Sequence, residues 1–222
     1  MFIGHVGVAL AAKKAAPRVS LGTLVLAAQF VDVLWPVFLL IGLEHVRIDP
    51  GNTRVTPLDF YDYPISHSLV GAVVWSALVG AAYYMSRKYM RGAWIVALAV
   101  LSHWILDLIS HRPDLPLLGS HGPRFGFGLW QSLPATVVVE SSLFAIGTAL
   151  YVSSTVARDR VGRFGLWAWL AVLVLIYAAN LMGPPPPSVT AIAVAAILGS
   201  VLLIGWAYWA DGHRDPVGTP RA

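Results

Sequence analysis

Long apolar runs alternate with short polar connections along this chain. A run of about 20 apolar residues is long enough for a helix to cross the hydrocarbon core of a membrane. The runs of this length predict six spans, at residues 19–43, 66–86, 92–111, 134–156, 164–182 and 189–210. A shorter apolar run at 2–12 predicts a short helix that lies against the bundle or dips part-way into it. The pattern therefore predicts an all-α, polytopic transmembrane helical bundle of about six spans plus a short N-terminal helix.

Turn-forming residues mark where the predicted spans begin and end. Ser66-His67-Ser68 opens the second span as a capped helix start, and Pro113 stops the third. Pro36 predicts a kink in the first span, and the prolines at 184–187 predict a stiff connection between the last two. No internal repeat or second domain is visible, so residues 1–222 are expected to form a single integral membrane domain.

The composition supports a membrane protein, because 57% of the residues are hydrophobic and only 12% are charged. The first apolar run does not match a cleavable signal peptide, since His5 interrupts it and the lysine pair at 13–14 follows it. There is no cysteine, so any metal must be held by His, Asp or Glu. The net charge of +4 comes from short basic clusters beside apolar runs, which predicts a role in topology and no nucleic-acid partner.

Lysines and arginines gather on alternate connections, at 13–18, 87–91 and 158–163, and in the tail at Arg214 and Arg221. Positive residues near span ends favour the cytoplasmic side. We therefore expect a multi-pass protein of a bacterial-type cytoplasmic (inner) membrane with both termini in the cytoplasm. The outward connections are then 44–65, 112–133 and 183–188.

The third span carries His103, Asp107 and His111 at i, i+4 and i+8, so their side chains share one helix face. Histidine and aspartate are costly in hydrocarbon and need a metal, water or each other as partners. Neutral imidazoles and a carboxylate on one face suit a divalent, zinc-like ion. The alternative is a polar stripe that lines a water channel or hydrogen-bonds to other helices.

Polar residues of other spans fall at a similar depth. In the predicted topology Asp32, His67 and Glu140 lie towards the outer face, as the stripe does. We therefore expect one cavity that opens outwards. His5 can reach this cavity only if the short first helix leans inwards. Glu140 is expected to act as a general base or a bridging ligand beside a metal.

Each of these residues also has a structural interpretation. Asp32 could serve a proton relay or an ion pair, and His67 could be an interfacial histidine at a helix start. His5 could be a buried histidine with satisfied hydrogen bonds, and Glu140 could pair with an arginine of the outer connections. His111 lies at a helix end beside an arginine, which makes it the weaker member of the stripe. The histidines expected to be solvated are His45, His121 and His213.

Four motifs along the chain resemble those of a known family. They are Gly4-His5-Val6-Gly7, Asp32, Ser66-His67-Ser68 and Ser102-His103-x3-Asp107. Over about residues 1–155 the chain resembles the inner-membrane metal-dependent hydrolases of the LexA-regulated type, and residues 164–210 add two further spans. More distantly, the order of the motifs is similar to that of the zinc-dependent phospholipase C and single-strand nuclease superfamily.

This resemblance implies a zinc site. Carried over by motif position, the metal ligands are His5, Asp32, His67, His103 and Asp107. The chain departs from the family in having one carboxylate at Asp32, where an Asp-rich stretch is usual, and in lacking a later His-x3-Glu pair. Glu140 and His111 would have to substitute for that pair.

Together these features predict a membrane-embedded metal-dependent hydrolase. It would act on a phosphate ester, such as a phospholipid or a lipid-linked phosphate, through a metal-activated water. Glu140 and Asp107 would be its catalytic carboxylates. One alternative is a transporter or an ion- or proton-conducting protein that uses the same His, Asp and Glu residues. Another is a structural subunit whose polar stripe holds helices together.

Overall fold

The computed structural model describes residues 1–218, and Arg221 of the basic tail lies outside them. Within that range the chain forms nine α-helices, one 3₁₀ turn and three two-stranded antiparallel sheets. The helices are α1 (Ile3–Ala15), α2 (Leu21–Ala28), α3 (Phe30–Leu40), α4 (Pro64–His67), α5 (Leu69–Arg87), α6 (Met90–Ser110), α7 (Leu133–Ser154), α8 (Arg160–Met182) and α9 (Val189–Gly212). The paired strands are β1 (His45–Ile48) with β2 (Leu58–Asp62), β3 (Leu115–Pro116) with β4 (Arg124–Phe125), and β5 (Thr155–Ala157) with β6 (Arg214–Pro216).

Five helices, α5 to α9, are long and apolar enough to cross a membrane, and α2 with α3 makes a sixth if the bent pair is one span. These helices indicate a membrane protein and confirm the all-α prediction. The bend of 56° lies between α2 and α3 at Gln29. Pro36 lies inside α3, where its missing N–H removes one helical hydrogen bond, so the break in this span lies before the proline and the kink at Pro36 stays a prediction.

The second predicted span is also divided. His67 ends the four-residue α4, and Ser68 then caps α5 by accepting a hydrogen bond from the Gly71 N–H at 2.9 Å. His67 therefore sits just before the membrane-length helix, on a separate turn that can aim its ring independently of α5.

The short helix α1 lies inside the bundle, packed against α7, α2 and α6 with most of its side chains buried. Glycines allow the α1–α7 crossing: a Cβ at Gly7 would be 2.5 Å from the Leu143 carbonyl oxygen, and one at Gly147 would collide with the Gly7 carbonyl. The start of α1 is held by Glu140, whose Oε2 accepts hydrogen bonds from the N–H groups of Phe2 and Gly4. These contacts carry His5 inwards.

A buried ion pair fixes the other end of α1. Lys13 Nζ lies 2.7 Å from Asp211 Oδ2 on α9, and both side chains are 6% exposed. The same oxygen accepts the Leu21 N–H at 2.9 Å, and the Tyr151 hydroxyl donates to Asp211 Oδ1 at 2.6 Å. The pair therefore ties α1, α2, α7 and α9 together at the end of the bundle opposite the start of α1.

The connection between α3 and α4 folds over the end of the bundle at which α1 begins and α6 ends, which we call the site end. Its strands β1 and β2 pair around Asp59, a buried carboxylate that accepts hydrogen bonds from Arg47 and Arg112. Asp62 lies at the edge of this hairpin. Its partial burial raises the pKa of the carboxyl group, but hydrogen bonds from Ser120 and His45 outweigh this effect, so the pKa of Asp62 is lowered. The predicted polar connection is thus an ordered cover.

Candidate metal centre

Four elements bring polar side chains together at the site end. His5 comes from α1, Asp32 from α3, His67 from α4, and His103 and Asp107 from α6. We call these five residues the His/Asp cluster. His5 reaches the cluster because α1 lies inside the bundle, and the sequence alone did not determine that position of α1.

Asp107 lies at the centre of the cluster and is 2% exposed. Its Oδ1 is 3.1 Å from His5 Nε2, and its Oδ2 is 3.1 Å from His103 Nε2, one helical turn away. His67 Nε2 lies 3.9 Å from Asp107 Oδ2. The His5 and His103 rings stack with centroids 3.7 Å apart, so both present their edges to the same carboxylate. The amino nitrogen of Met1 also lies 2.7 Å from Asp107 Oδ1.

Asp32 forms a second focus on the cavity side. Its Oδ1 is 3.3 Å from His67 Nε2 and 3.5 Å from His103 Nε2, and its side chain is 37% exposed. The cluster therefore contains two sets of three potential ligands, His5/His103/Asp107 and Asp32/His67/His103, with the ligand atoms of each set within 4.8 Å of one another. Both sets share His103, so either one ion or a pair of neighbouring ions could be held here.

The protonation of His103 is decided by its backbone partner. Its Nδ1 lies 2.7 Å from the carbonyl oxygen of Ala28, the last residue of α2, where helical carbonyls lack helical partners. A carbonyl can only accept, so Nδ1 carries the proton and Nε2 carries a lone pair in the neutral ring. That buried Nε2 has no hydrogen-bond partner among the described residues.

His67 is oriented by a chain of two further residues. The Ser66 hydroxyl donates to Glu44 Oε2 at 2.6 Å, so its oxygen accepts the Nδ1 proton of His67 at 2.7 Å. Glu44 is 1% exposed, and its Oε1 accepts the N–H groups of Ile65 and Ser66. The His67 Nε2 lone pair then points at Asp32. Sequence reasoning missed Glu44, which lies 22 residues from Ser66 and carries no local signal.

His111 stands beside the cluster and outside both ligand sets. Its Nε2 is 3.8 Å from Asp107 Oδ2, and its Nδ1 is 2.9 Å from Asp114 Oδ1. The Tyr63 hydroxyl donates to the same Asp114 oxygen at 3.2 Å. Burial and then the negative charge of Asp114 raise the pKa of Tyr63 well above its usual value, so this hydroxyl keeps its proton. The His111-x2-Asp114 spacing was a signal for this orientation that sequence reasoning passed over.

In their neutral forms, two of the three histidines of the cluster turn an acceptor nitrogen towards a carboxylate. For His103 and His67 the protein fixes the proton on Nδ1 and leaves the Nε2 lone pair towards Asp107 or Asp32. Such an arrangement needs a cation between the two, which is either a metal ion or a proton on Nε2. Imidazole nitrogens and carboxylate oxygens fit a divalent metal ion, and outer hydrogen bonds orient two of the three histidines, His103 and His67, whereas His5 Nδ1 has no partner among the described residues.

Glu140 lies outside both ligand sets, because its carboxylate caps α1. It is 1% exposed and still lines the same cavity as Asp107. The histidines expected to be solvated lie away from the cluster: His45 pairs with Asp62, His213 pairs with Asp159, and His121 is exposed.

A cavity of about 920 Å³ opens beside the cluster. Asp32, His67, Asp107, His111 and Glu140 form one wall, and the segment 50–58 with Trp130 forms the rim. The opposite wall belongs to α8 and α9, so these two helices help to enclose the site.

A scan against models of protein families and searches of curated proteins and of solved structures found no match to this chain.

Proposed function

We propose that this protein is a membrane-embedded metal-dependent hydrolase of a lipid phosphate ester, with zinc as its metal. The observation that carries the proposal is the buried Nε2 of His103. It lies 3.1 Å from Asp107 Oδ2 and has no hydrogen-bond partner among the described residues, while Nδ1 of the same ring is held by the Ala28 carbonyl. Donors that are all nitrogen and oxygen, with three histidines in the cluster, favour zinc over magnesium or calcium.

His5, Asp32, His67, His103 and Asp107 would hold the metal. A divalent ion bound there supplies Lewis acidity, which polarises a phosphoryl oxygen and lowers the pKa of a water. His103 belongs to both ligand sets, so its loss removes a ligand from each.

The chain supplies the remaining groups for phosphate chemistry. Glu140 is buried on the cavity wall and would accept the proton of the attacking water, while Asp107 holds the ligand histidines in place. Among lysines and arginines in residues 1–218, Arg54 alone lines the cavity, at its rim. Its charge would attract an anionic substrate.

The distribution of charge supports an orientation for the bundle. Most lysines and arginines lie at the end opposite the site end, beside the turns that join α1 to α2, α5 to α6 and α7 to α8. By the positive-inside rule this end would face the cytoplasm of a bacterial-type cell, and the end of α9 would lie there. The start of α1 lies at the site end, so in this orientation it would be on the outer side, unlike the cytoplasmic N-terminus that the sequence predicts. The metal centre would then face outwards, where membrane lipids can reach it.

Transport is the competing function. A proton on His103 Nε2 would also resolve the opposition with Asp107, and a site that binds and releases a proton or metal ion at this depth suits a transporter. The two functions differ in whether a metal stays bound and whether a substrate is chemically changed.

Metal analysis of the detergent-purified protein is the first test, with His103→Ala as the variant and His121→Ala, an exposed histidine, as the matched control. We expect bound zinc in the wild type and in His121→Ala, and loss of zinc in His103→Ala. Equal metal content in all three proteins would contradict the site. Zinc-loaded protein is then incubated with labelled phospholipids and lipid pyrophosphates. Bound metal without any turnover would favour transport.

A further inference from the structure

The cavity beside the His/Asp cluster has two chemically different parts. The first holds the polar wall already described. The second, which we call the apolar arm, continues between α8 and α9 and is lined by Leu173, Ile176, Ala195, Ala196, Gly199 and Leu203. No step of the proposed hydrolysis uses this second part.

The apolar arm follows α9 for more than two helical turns. Its α9 lining runs from Ala195 to Leu203, which at 1.5 Å rise per residue is about 12 Å. At the lower end, the buried Trp169 donates its indole N–H to the Leu203 carbonyl at 3.0 Å and joins α8 to α9. The arm is therefore a largely apolar part of the cavity that begins beside a polar site, with Ser200 as a polar residue of its lining.

Small residues keep the arm open. The α9 wall carries Ala195, Ala196 and Gly199, and a Cβ built on Gly199 meets no atom within 4 Å. A larger side chain at Gly199 would project into this space without displacing backbone. The width of the arm is thus set by residues that a substitution can change one at a time.

Two buried polar groups of the cavity lining lack partners. Trp35 and Tyr177 are each 7% exposed, and neither the Trp35 indole N–H nor the Tyr177 hydroxyl has a hydrogen-bond partner among the described residues. Tyr177 lies one turn above Leu173, between the polar wall and the arm. Buried donors of this kind call for acceptor oxygens in a ligand.

We propose that the substrate is a lipid phosphate whose hydrocarbon chain lies in the apolar arm, with its headgroup oxygens bound by Trp35 and Tyr177 and its phosphate at the His/Asp cluster. This inference rests on the proposed hydrolase function for the identity of the headgroup. The length and the mostly apolar lining of the arm, which begins beside the polar wall, assign the chain itself.

Binding of non-hydrolysable alkylphosphonates to the zinc-loaded, full-length protein tests this without turnover. We expect affinity to rise about three- to fourfold per methylene from butyl to octyl to dodecyl phosphonate. Gly199→Leu should abolish this dependence on chain length, and Ala196→Leu is a second variant that fills the same space. Gly205→Leu is the matched control, because Gly205 also lies on α9 with no atom within 4 Å but lines the neighbouring groove and not the cavity. Tyr177→Phe should weaken all three ligands by one common factor.

Equal affinity for butyl and dodecyl phosphonate in the wild type would overturn the inference, as would an unchanged chain-length dependence in both filled variants. Binding of dodecanol as tightly as dodecyl phosphonate would overturn the headgroup part. A chain-length dependence that depends on Gly199, in a protein that hydrolyses no phosphate ester, would uphold the arm and refute the hydrolase. Hydrolysis of short esters without any chain-length dependence would uphold the hydrolase and refute the binding of the hydrocarbon chain in the arm.

Discussion

Replacing Ser66 by alanine tests whether outer hydrogen bonds prepare the metal centre. The Ser66 hydroxyl is the acceptor for His67 Nδ1 at 2.7 Å and the donor to Glu44 at 2.6 Å, and both serine and glutamate are almost fully buried. Without it, nothing holds the proton of His67 on Nδ1, and the ring can turn its N–H towards Asp32. Losing such an outer partner typically costs 10- to 100-fold in metal affinity, or about 1.4–2.7 kcal/mol.

Zinc affinity of Ser66→Ala is measured by competition with a chelator, and Ser68→Ala is the control. Ser68 is two residues away and caps α5, so its loss should destabilise that helix by about 1 kcal/mol without touching His67. We expect weaker zinc binding in Ser66→Ala alone. The reasoning is refuted if Ser66→Ala binds zinc as the wild type does, or if both variants lose affinity equally.

Three further predictions concern packing and charge. Gly147→Ala should force α1 away from α7, which lowers the free energy of unfolding by about 1–3 kcal/mol and also weakens zinc binding. Gly199→Ala, which has open space around it, should change neither quantity. Thermal unfolding and zinc titration of both variants check this. Lys13→Met should cost about 3–5 kcal/mol by leaving the buried Asp211 carboxylate unpaired. The double variant Lys13→Met/Asp211→Asn, which keeps an acceptor oxygen for the Leu21 N–H, should recover part of this in the same unfolding assay; a double variant that loses the sum of the two single losses would contradict the pairing. Because the pKa of Asp62 is lowered, its carboxylate stabilises the β1–β2 hairpin fully above the ordinary carboxyl pKa of 3.8, and this stabilisation is lost as the pH falls through the lowered value. Asp62→Asn should therefore be less stable than the wild type near neutral pH and equally stable in strong acid. A stability difference that persists in acid would refute this assignment.

The lengths and order of the spans could be predicted from the sequence, because a run of about 20 apolar residues with few charges matches, as a helix, the thickness of the hydrocarbon core of a membrane. The bend at Gln29 could not, since nothing in the local pattern outweighs Pro36 as a candidate kink. The position of α1 depends on a close crossing between Gly7 and Gly147, and glycine spacing in an apolar sequence does not identify its partner.

The candidate site shows the same division. His103 and Asp107 stand one turn apart on one helix, so their proximity follows from helix geometry alone. Glu44 could not be found in this way, because its contact with Ser66 spans a folded connection whose course depends on tertiary structure. The orientation of His103 likewise rests on the Ala28 carbonyl, a backbone group that becomes available only where α2 ends.

Anomalous X-ray diffraction at the zinc edge, from crystals of the zinc-loaded protein, locates the metal itself. We expect one or two peaks enclosed by the residues of the His/Asp cluster, which are His5, Asp32, His67, His103 and Asp107. Zinc found only at surface histidines such as His45 or His121, or no zinc peak at all, would contradict this expectation.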